Sequence, residues 1–368
     1  MWDIFKPSFW FNHHSLRTRK QRFIETKLDF SDVLIKPRYS KINSRRDVSL
    51  ETNYKTKWAR KQINGFLIVA NMDTTGTFNM AKECFKHKVY TAIHKHYTIE
   101  EWNEFNDTIN QDIKEYIFIS TGIRQVDFEK LQKIIEITGI KNICLDNANG
   151  HTIDFINHTK LIRKTYPESI LMAGNVATKF MALKLLNSGA DILKVGIGNG
   201  ACCTTRILSG IGVPQFSLII ELSEFIKSKG GLLLSDGGVK NSGDIVKAIA
   251  AGSSLVMSGS LFYGHDQCDT EIIKNKISGK KECIHYGMSS KKAMEKHYGK
   301  MQNYRAEEGK VVNVEYRGSI NNTLDKILGG IRSACTYTNC KSIMELPKNA
   351  RFIKVHNQTN EIYGKNTF

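Results

Sequence analysis

Eight short apolar runs, each followed by a stretch with helical spacing, leave few folds open to this 368-residue chain. They lie at residues 66–70, 89–93, 116–120, 142–146, 169–173, 191–195, 231–235 and 254–257. None alternates apolar with polar residues as a strand with one wet face would, so both faces of each strand are expected to be buried. The helical stretches between them imply parallel crossovers. Eight such units point to an α/β protein of the (β/α)8 TIM-barrel class rather than an open doubly wound sheet, which usually has fewer strands. The length is sufficient for one large domain of this kind.

On a barrel the loops leaving the C-terminal strand ends converge on one face, where active sites sit. Here those loops begin with Asn71-Met72-Asp73, His94-Lys95-His96-Tyr97, Asp146-Asn147, Gly174-Asn175, Asp236-Gly237-Gly238 and Ser258-Gly259-Ser260. The loop after the sixth run, Gly196 to Arg206, reads GIGNGACCTTR. Its glycines at 196, 198 and 200 let the backbone approach a ligand, and Cys203 is followed at once by two hydroxyls that can orient a reacting group. Taken alone, this is equally a glycine-rich turn with two packed cysteines. Many such loops on one face favour a site. Glycines after the seventh and eighth runs suit a phosphate cradle of backbone N–H groups.

Composition removes several other classes. No apolar run approaches the ~20 residues needed to span a bilayer, so no membrane contact and a soluble protein are expected. The eight cysteines contain no C-x-x-C pair and fall partly inside strands and helices, as free thiols in a reducing, cytoplasmic compartment would. The formal charge of +17 comes from dispersed lysines with no basic block or aromatic-interleaved strip, which speaks against a nucleic-acid partner and leaves a field that gathers small anions. Residues 1–27 read as an N-terminal arm without the apolar core and cleavage site of a signal peptide. The barrel domain is expected over 28–345, with a long polar excursion at 263–319 read as a flap, a closing helix over 322–340 and a surface tail over 346–368.

The stretches LDFSDVL, ANMDTTGTF, TAIHKHY, LDNANGH, AGNVAT, KVGIGNGACCTTR, SDGGVKNSGD, YGMSS, YRAEEGK and ILGGIRSACTY stand in the order in which the IMP dehydrogenase/GMP reductase family carries them. From about Leu28 to the tail the chain resembles that family, and its reductase branch in particular. Only about 20 residues separate His96 from Tyr116, where dehydrogenases usually insert a pair of CBS domains. The excursion carries Tyr304-Arg305 followed by Glu308-Gly309-Lys310, unlike the Arg-Tyr pair of the dehydrogenase flap.

The resemblance implies NADPH-dependent reductive deamination of GMP to IMP and ammonia, a step of purine nucleotide interconversion. It implies that Cys203 attacks purine C2, that Thr205 and Glu308 handle the proton of the departing amine, and that Lys95 and Asp146 lie by the cofactor and reacting centre. Asp236, Gly237, Gly238, Gly259 and Ser260 would hold the ribose and phosphate, and Met288, Ser289, Arg305, Glu307 and Gly309 the base. Carbonyls of Gly198, Gly200 and Cys203 would bind a monovalent cation, potassium by the family's pattern, in a homotetramer. Ala201 stands where the family usually has serine, Asn199 where it often has proline, Cys202 in place of a β-branched residue, and Ser260 where reductases usually have glycine. Two other readings remain at this stage: a minimal IMP dehydrogenase without CBS domains, and a catalytically silent nucleotide-binding protein.

Overall fold

The computed structural model describes residues 24–300 and 306–356. Most of the expected N-terminal arm, Arg305 and the end of the expected tail lie outside the described residues.

Each of the eight apolar runs is a strand: β1 Leu67–Val69, β2 Tyr90–Ile93, β3 Ile117–Thr121, β4 Asn142–Asp146, β5 Ile170–Val176, β6 Ile192–Val195, β7 Leu232–Asp236 and β8 Leu255–Ser258. All neighbours are parallel, the strands follow one another in chain order, and β8 pairs back onto β1 through Val256 opposite Leu67. The closed barrel leaves no edge among these strands.

The period of two along each strand separates two apolar layers. Ile68, Ala92, Phe118, Cys144, Met172, Ile192, Leu234 and Met257 form one cluster inside the barrel. Their neighbours Leu67, Val69, Ile93, Ile119, Leu145, Leu171, Leu193 and Val256 pack outward against the helices. Both faces are therefore dry, which is why the runs look uniformly apolar in sequence.

Helices on the outer ring start at side-chain caps that the sequence supplies. Thr77 accepts from the Met80 N–H before Phe78–Cys84, Thr152 from Phe155 before Ile153–Thr165, and Thr178 from Met181 before Lys179–Asn187. Asn241 caps Ser242–Ala250 in the same way. A hairpin of Tyr54–Lys55 and Gln62–Ile63 closes the N-terminal end, contributing fully buried Ile63 to the inner cluster. At that end Asp191 accepts from Arg163 at 2.7 Å and from the Trp58 and Leu171 backbone, a satisfied structural carboxylate.

Between β2 and β3 the chain holds only the helices Ile99–Asn106 and Gln111–Glu115, so no inserted domain interrupts the barrel. The excursion after β8 is more regular than its composition suggests. It forms an antiparallel sheet of β9 Ile272–Lys274, β10 Lys281–Tyr286 and β11 Val311–Glu315, with the helix Lys291–Tyr298 between the last two strands. The closing helix runs over Ile320–Tyr337. The first part of the segment expected as a surface tail packs instead: Leu346 is buried, and Phe352–Lys354 pairs antiparallel with Val33–Ile35.

Candidate active site

A cavity of about 900 Å³ opens at the C-terminal ends of the strands. Its wall includes Cys203, Thr205, Glu308, Asp146, Asp236, Gly237, Gly238, Gly259, Ser260, Met288, Ser289, Gly198 and Gly200. Thirteen sequence-predicted site residues thus come together on one surface. Lys95, Glu307 and Gly309 do not line it, and Arg305 lies outside the described residues.

The Cys203 loop leaves β6 through Gly196, whose φ of +151° favours glycine and where a Cβ would stand 2.2 Å from the Asp236 carbonyl oxygen. That contact lets the loop lie directly on the end of β7. The excursion then clasps the loop: Thr204 N–H donates to the Glu308 carbonyl at 3.2 Å, and Lys310 N–H to the Cys202 carbonyl at 2.9 Å. Between these two bonds the Cys203 thiol donates to Thr205 Oγ1 at 3.2 Å, and that hydroxyl donates to Glu308 Oε2 at 2.6 Å. Thiol, hydroxyl and carboxylate form one hydrogen-bonded line. Cys202, next in the chain, turns away to Tyr263 with its sulfur 3.5 Å from the phenol oxygen, and burial pushes its thiol pKa up.

Beneath the thiol loop lies a charge that the sequence reading did not assign. Lys194, 2% exposed, sits in β6 with its ammonium bonded to Asp146, 3.2 Å from Asn71 Oδ1 and 3.5 Å from Asp236 Oδ2. Burial alone would lower the lysine pKa, but the two carboxylates outweigh it and raise it. The same pairing overcomes burial at Asp146 and holds its carboxyl below the usual carboxylate range. Asn175 donates to Asp236 Oδ2 at 2.8 Å and to the Gly196 carbonyl at 2.8 Å. Asp236 is thereby fixed at the cavity wall. The signal was a lone lysine inside an otherwise apolar strand, since a buried cation needs buried partners.

Gly237 and Gly238, at φ of +86° and +80°, turn the chain after β7 beside Gly259 and Ser260. The Ser260 hydroxyl donates to the Val239 carbonyl at 3.0 Å, linking the two loops. Lys95 points elsewhere: a Cβ on Gly122 would lie 3.2 Å from its Nζ and 2.5 Å from Asp127 Oδ2. Its charge still helps to lower the Asp146 pKa. Glu307 accepts from the Lys291 N–H at 3.0 Å, at the start of the helix Lys291–Tyr298. Asn199 joins Arg206 to Gln215, and Arg206 reaches Asp29 at 2.9 Å, so the position where the family often has proline is braced by side chains.

Fold and site together define a barrel protein whose rim, at the C-terminal strand ends, offers a thiol hydrogen-bonded through a hydroxyl to a carboxylate, and glycine-rich loops around one cavity. The IMP dehydrogenase / GMP reductase domain matches residues 27–361. GMP reductase of Caenorhabditis elegans is 47% identical over 341 residues, covering 92% of this chain and 95% of the relative. GMP reductase of Onchocerca volvulus is 47% identical over 344 residues, covering 92% and 94%. GMP reductase 1 of Mus musculus is 44% identical over 342 residues, covering 92% and 98%. The chain belongs to the IMP dehydrogenase / GMP reductase family.

Proposed function

We propose that this protein is a GMP reductase, converting GMP to IMP and ammonia with NADPH. The observation that carries the reading is the line from Cys203 through Thr205 to Glu308 on the wall of the cavity at the C-terminal strand ends. The thiol proton passes to Thr205 as the Thr205 proton passes to Glu308, leaving a thiolate to attack purine C2. Returned along the same line, that proton goes to the 2-amino group, so the C–N bond breaks with ammonia as leaving group while the C–S bond holds the base. NADPH, when bound, supplies the hydride that reaches C2 and releases the thiolate.

Asp236, oriented by Lys194 and Asn175, suits the ribose hydroxyls, because a carboxylate accepts hydrogen bonds there and repels phosphate. Gly237, Gly238, Gly259 and Ser260 receive the phosphate, and Met288 and Ser289 cover the base. The fit for a nicotinamide cofactor rests on Asp146, whose carboxyl reaches the cavity wall next to Asn149 and His151, donor and acceptor groups suited to a carboxamide and a ribose; Lys95 adds positive charge nearby. The neutral carbonyls of Gly198, Gly200 and Cys203 are the hard oxygen donors a potassium ion takes, although the Gly200 carbonyl already accepts from the Cys203 N–H and offers its second lone pair. A homotetramer, as the family implies, is consistent with Ile207, Leu208 and Ile211 standing exposed beside the thiol loop. The described cysteines are all free thiols, in keeping with a cytoplasmic location, and no helix among the described residues is long and apolar enough to cross a membrane.

Absorbance at 340 nm tests the reading. NADPH loss should require GMP, release one ammonia per NADPH consumed and vanish in Cys203→Ala. Reduction of NAD by IMP, with no reaction of GMP, would overturn it in favour of a dehydrogenase.

A further inference from the structure

Asp73, in the turn after β1, is 1% exposed and absent from the cavity wall. Three donors from the excursion converge on its Oδ2: the Tyr286 hydroxyl at 2.7 Å, His297 Nε2 at 2.7 Å and Lys296 Nζ at 3.4 Å. Its backbone N–H also meets Met288 Sδ at 3.4 Å. Tyr286 ends β10 and His297 lies near the end of the helix Lys291–Tyr298, so one carboxylate grips both ends of the segment that carries Met288 and Ser289. The grip is reinforced from the barrel side, where the His96 ring stacks on His297 with centroids 3.5 Å apart. It extends to the thiol loop, because Tyr286 pairs with Val311 and Gly287 N–H donates to the Lys310 carbonyl at 3.1 Å, while Lys310 itself is bonded to Cys202.

We propose that Asp73 is a positioning residue: its buried carboxylate clamps the Tyr286-to-His297 segment to the barrel rim and so sets Met288, Ser289 and Glu308 over Cys203. The inference rests on the reductase reading only for the consequence to turnover; the clamp itself is a statement about where the segment lies. A buried carboxylate shared by three donors is a strong single point of attachment, since bonds to an ionised group are shorter and stronger than neutral ones.

The test compares the wild type with Asp73→Ala and with the milder Tyr286→Phe, which keeps the ring and removes one bond, so that a folding failure of the first leaves the second to decide. Amide hydrogen exchange is followed over 286–298 and 306–315, with β3 to β7 as the internal control, and GMP affinity is measured by calorimetry without cofactor. The expected result is exchange faster by about tenfold or more, confined to those two segments, with GMP binding weakened about tenfold and kcat lowered as well. Exchange that stays at the wild-type rate in both variants overturns the clamp, as does faster exchange throughout the barrel, which would make Asp73 a general support of the fold. Unchanged GMP affinity with locally faster exchange overturns the positioning role. If the wild type proves inactive on GMP but still binds it, and the local exchange and affinity changes appear, the clamp stands and the reductase reading falls.

Discussion

Replacing Thr205 by valine keeps the shape of the side chain and removes the hydroxyl that lies 3.2 Å from the Cys203 sulfur and 2.6 Å from Glu308 Oε2. The bond to the carboxylate is charge-assisted, about 1.5–3 kcal/mol, and its loss appears in the step that moves the proton, so kcat should fall about 10- to 150-fold. The hydroxyl's two bonds are to the thiol and the carboxylate that move the proton, so KM for GMP should stay within about threefold of the wild type. Thr205→Ser restores the oxygen and should recover most of the rate. Glu308→Gln breaks the same line at its far end; because the two residues act as one unit, Thr205→Val/Glu308→Gln should be little slower than the worse single variant. GMP-dependent NADPH consumption measures all four. A Thr205→Val enzyme within about twofold of wild-type kcat, or a double variant that loses the product of the two single effects, would refute the relay.

Lys194→Met leaves Asp146 and Asp236 facing each other without their buried cation and should cost about 3–5 kcal/mol in urea unfolding; a cost below about 1 kcal/mol would contradict the charge network described here. His94, buried and with its pKa lowered by burial from 6.5 to about 3, is protonated more readily in the unfolded chain. Stability present above pH 6.5 is therefore lost as the pH falls toward 3, by about 2 kcal/mol from this group alone between pH 7 and 5; unfolding curves independent of pH over that interval would refute it. Ala201→Ser returns a hydroxyl to a position on the cavity wall and should tighten GMP binding about fivefold, the effect of one hydrogen bond of about 1 kcal/mol, as read by calorimetry.

The barrel was legible because its strands are apolar on both faces: Ile68 and Val69 point to different dry layers, so β1 shows as an unbroken apolar run. The sheet beyond β8 was not. In β11, Val-Val-Asn-Val-Glu, exposed and half-covered residues alternate, and three valines interrupted by Asn313 inside a polar excursion are too short a run to stand out as a strand. The pairing of Phe352–Lys354 with Val33–Ile35 joins chain ends that no local pattern connects. At the site, motif order located Cys203, Thr205 and Glu308, which do meet. Motif order carries no direction, however: Lys95 turns toward Asp127 and Glu307 toward the backbone of Lys291, while Lys194, almost wholly buried, reaches the cavity wall between two carboxylates and Asp73 lies behind that wall.

The central claim is that C2 of GMP exchanges its amine for a hydride by way of the Cys203 thiol. NADPH deuterated at the transferable position, with ammonia counted and the nucleotide product weighed, tests it most directly. One deuterium should appear at C2 of IMP for each ammonia released, and neither should form in Cys203→Ala. Ammonia released with XMP as product would show water, not hydride, reaching C2, and deuterated IMP from Cys203→Ala would remove the thiol from the reaction.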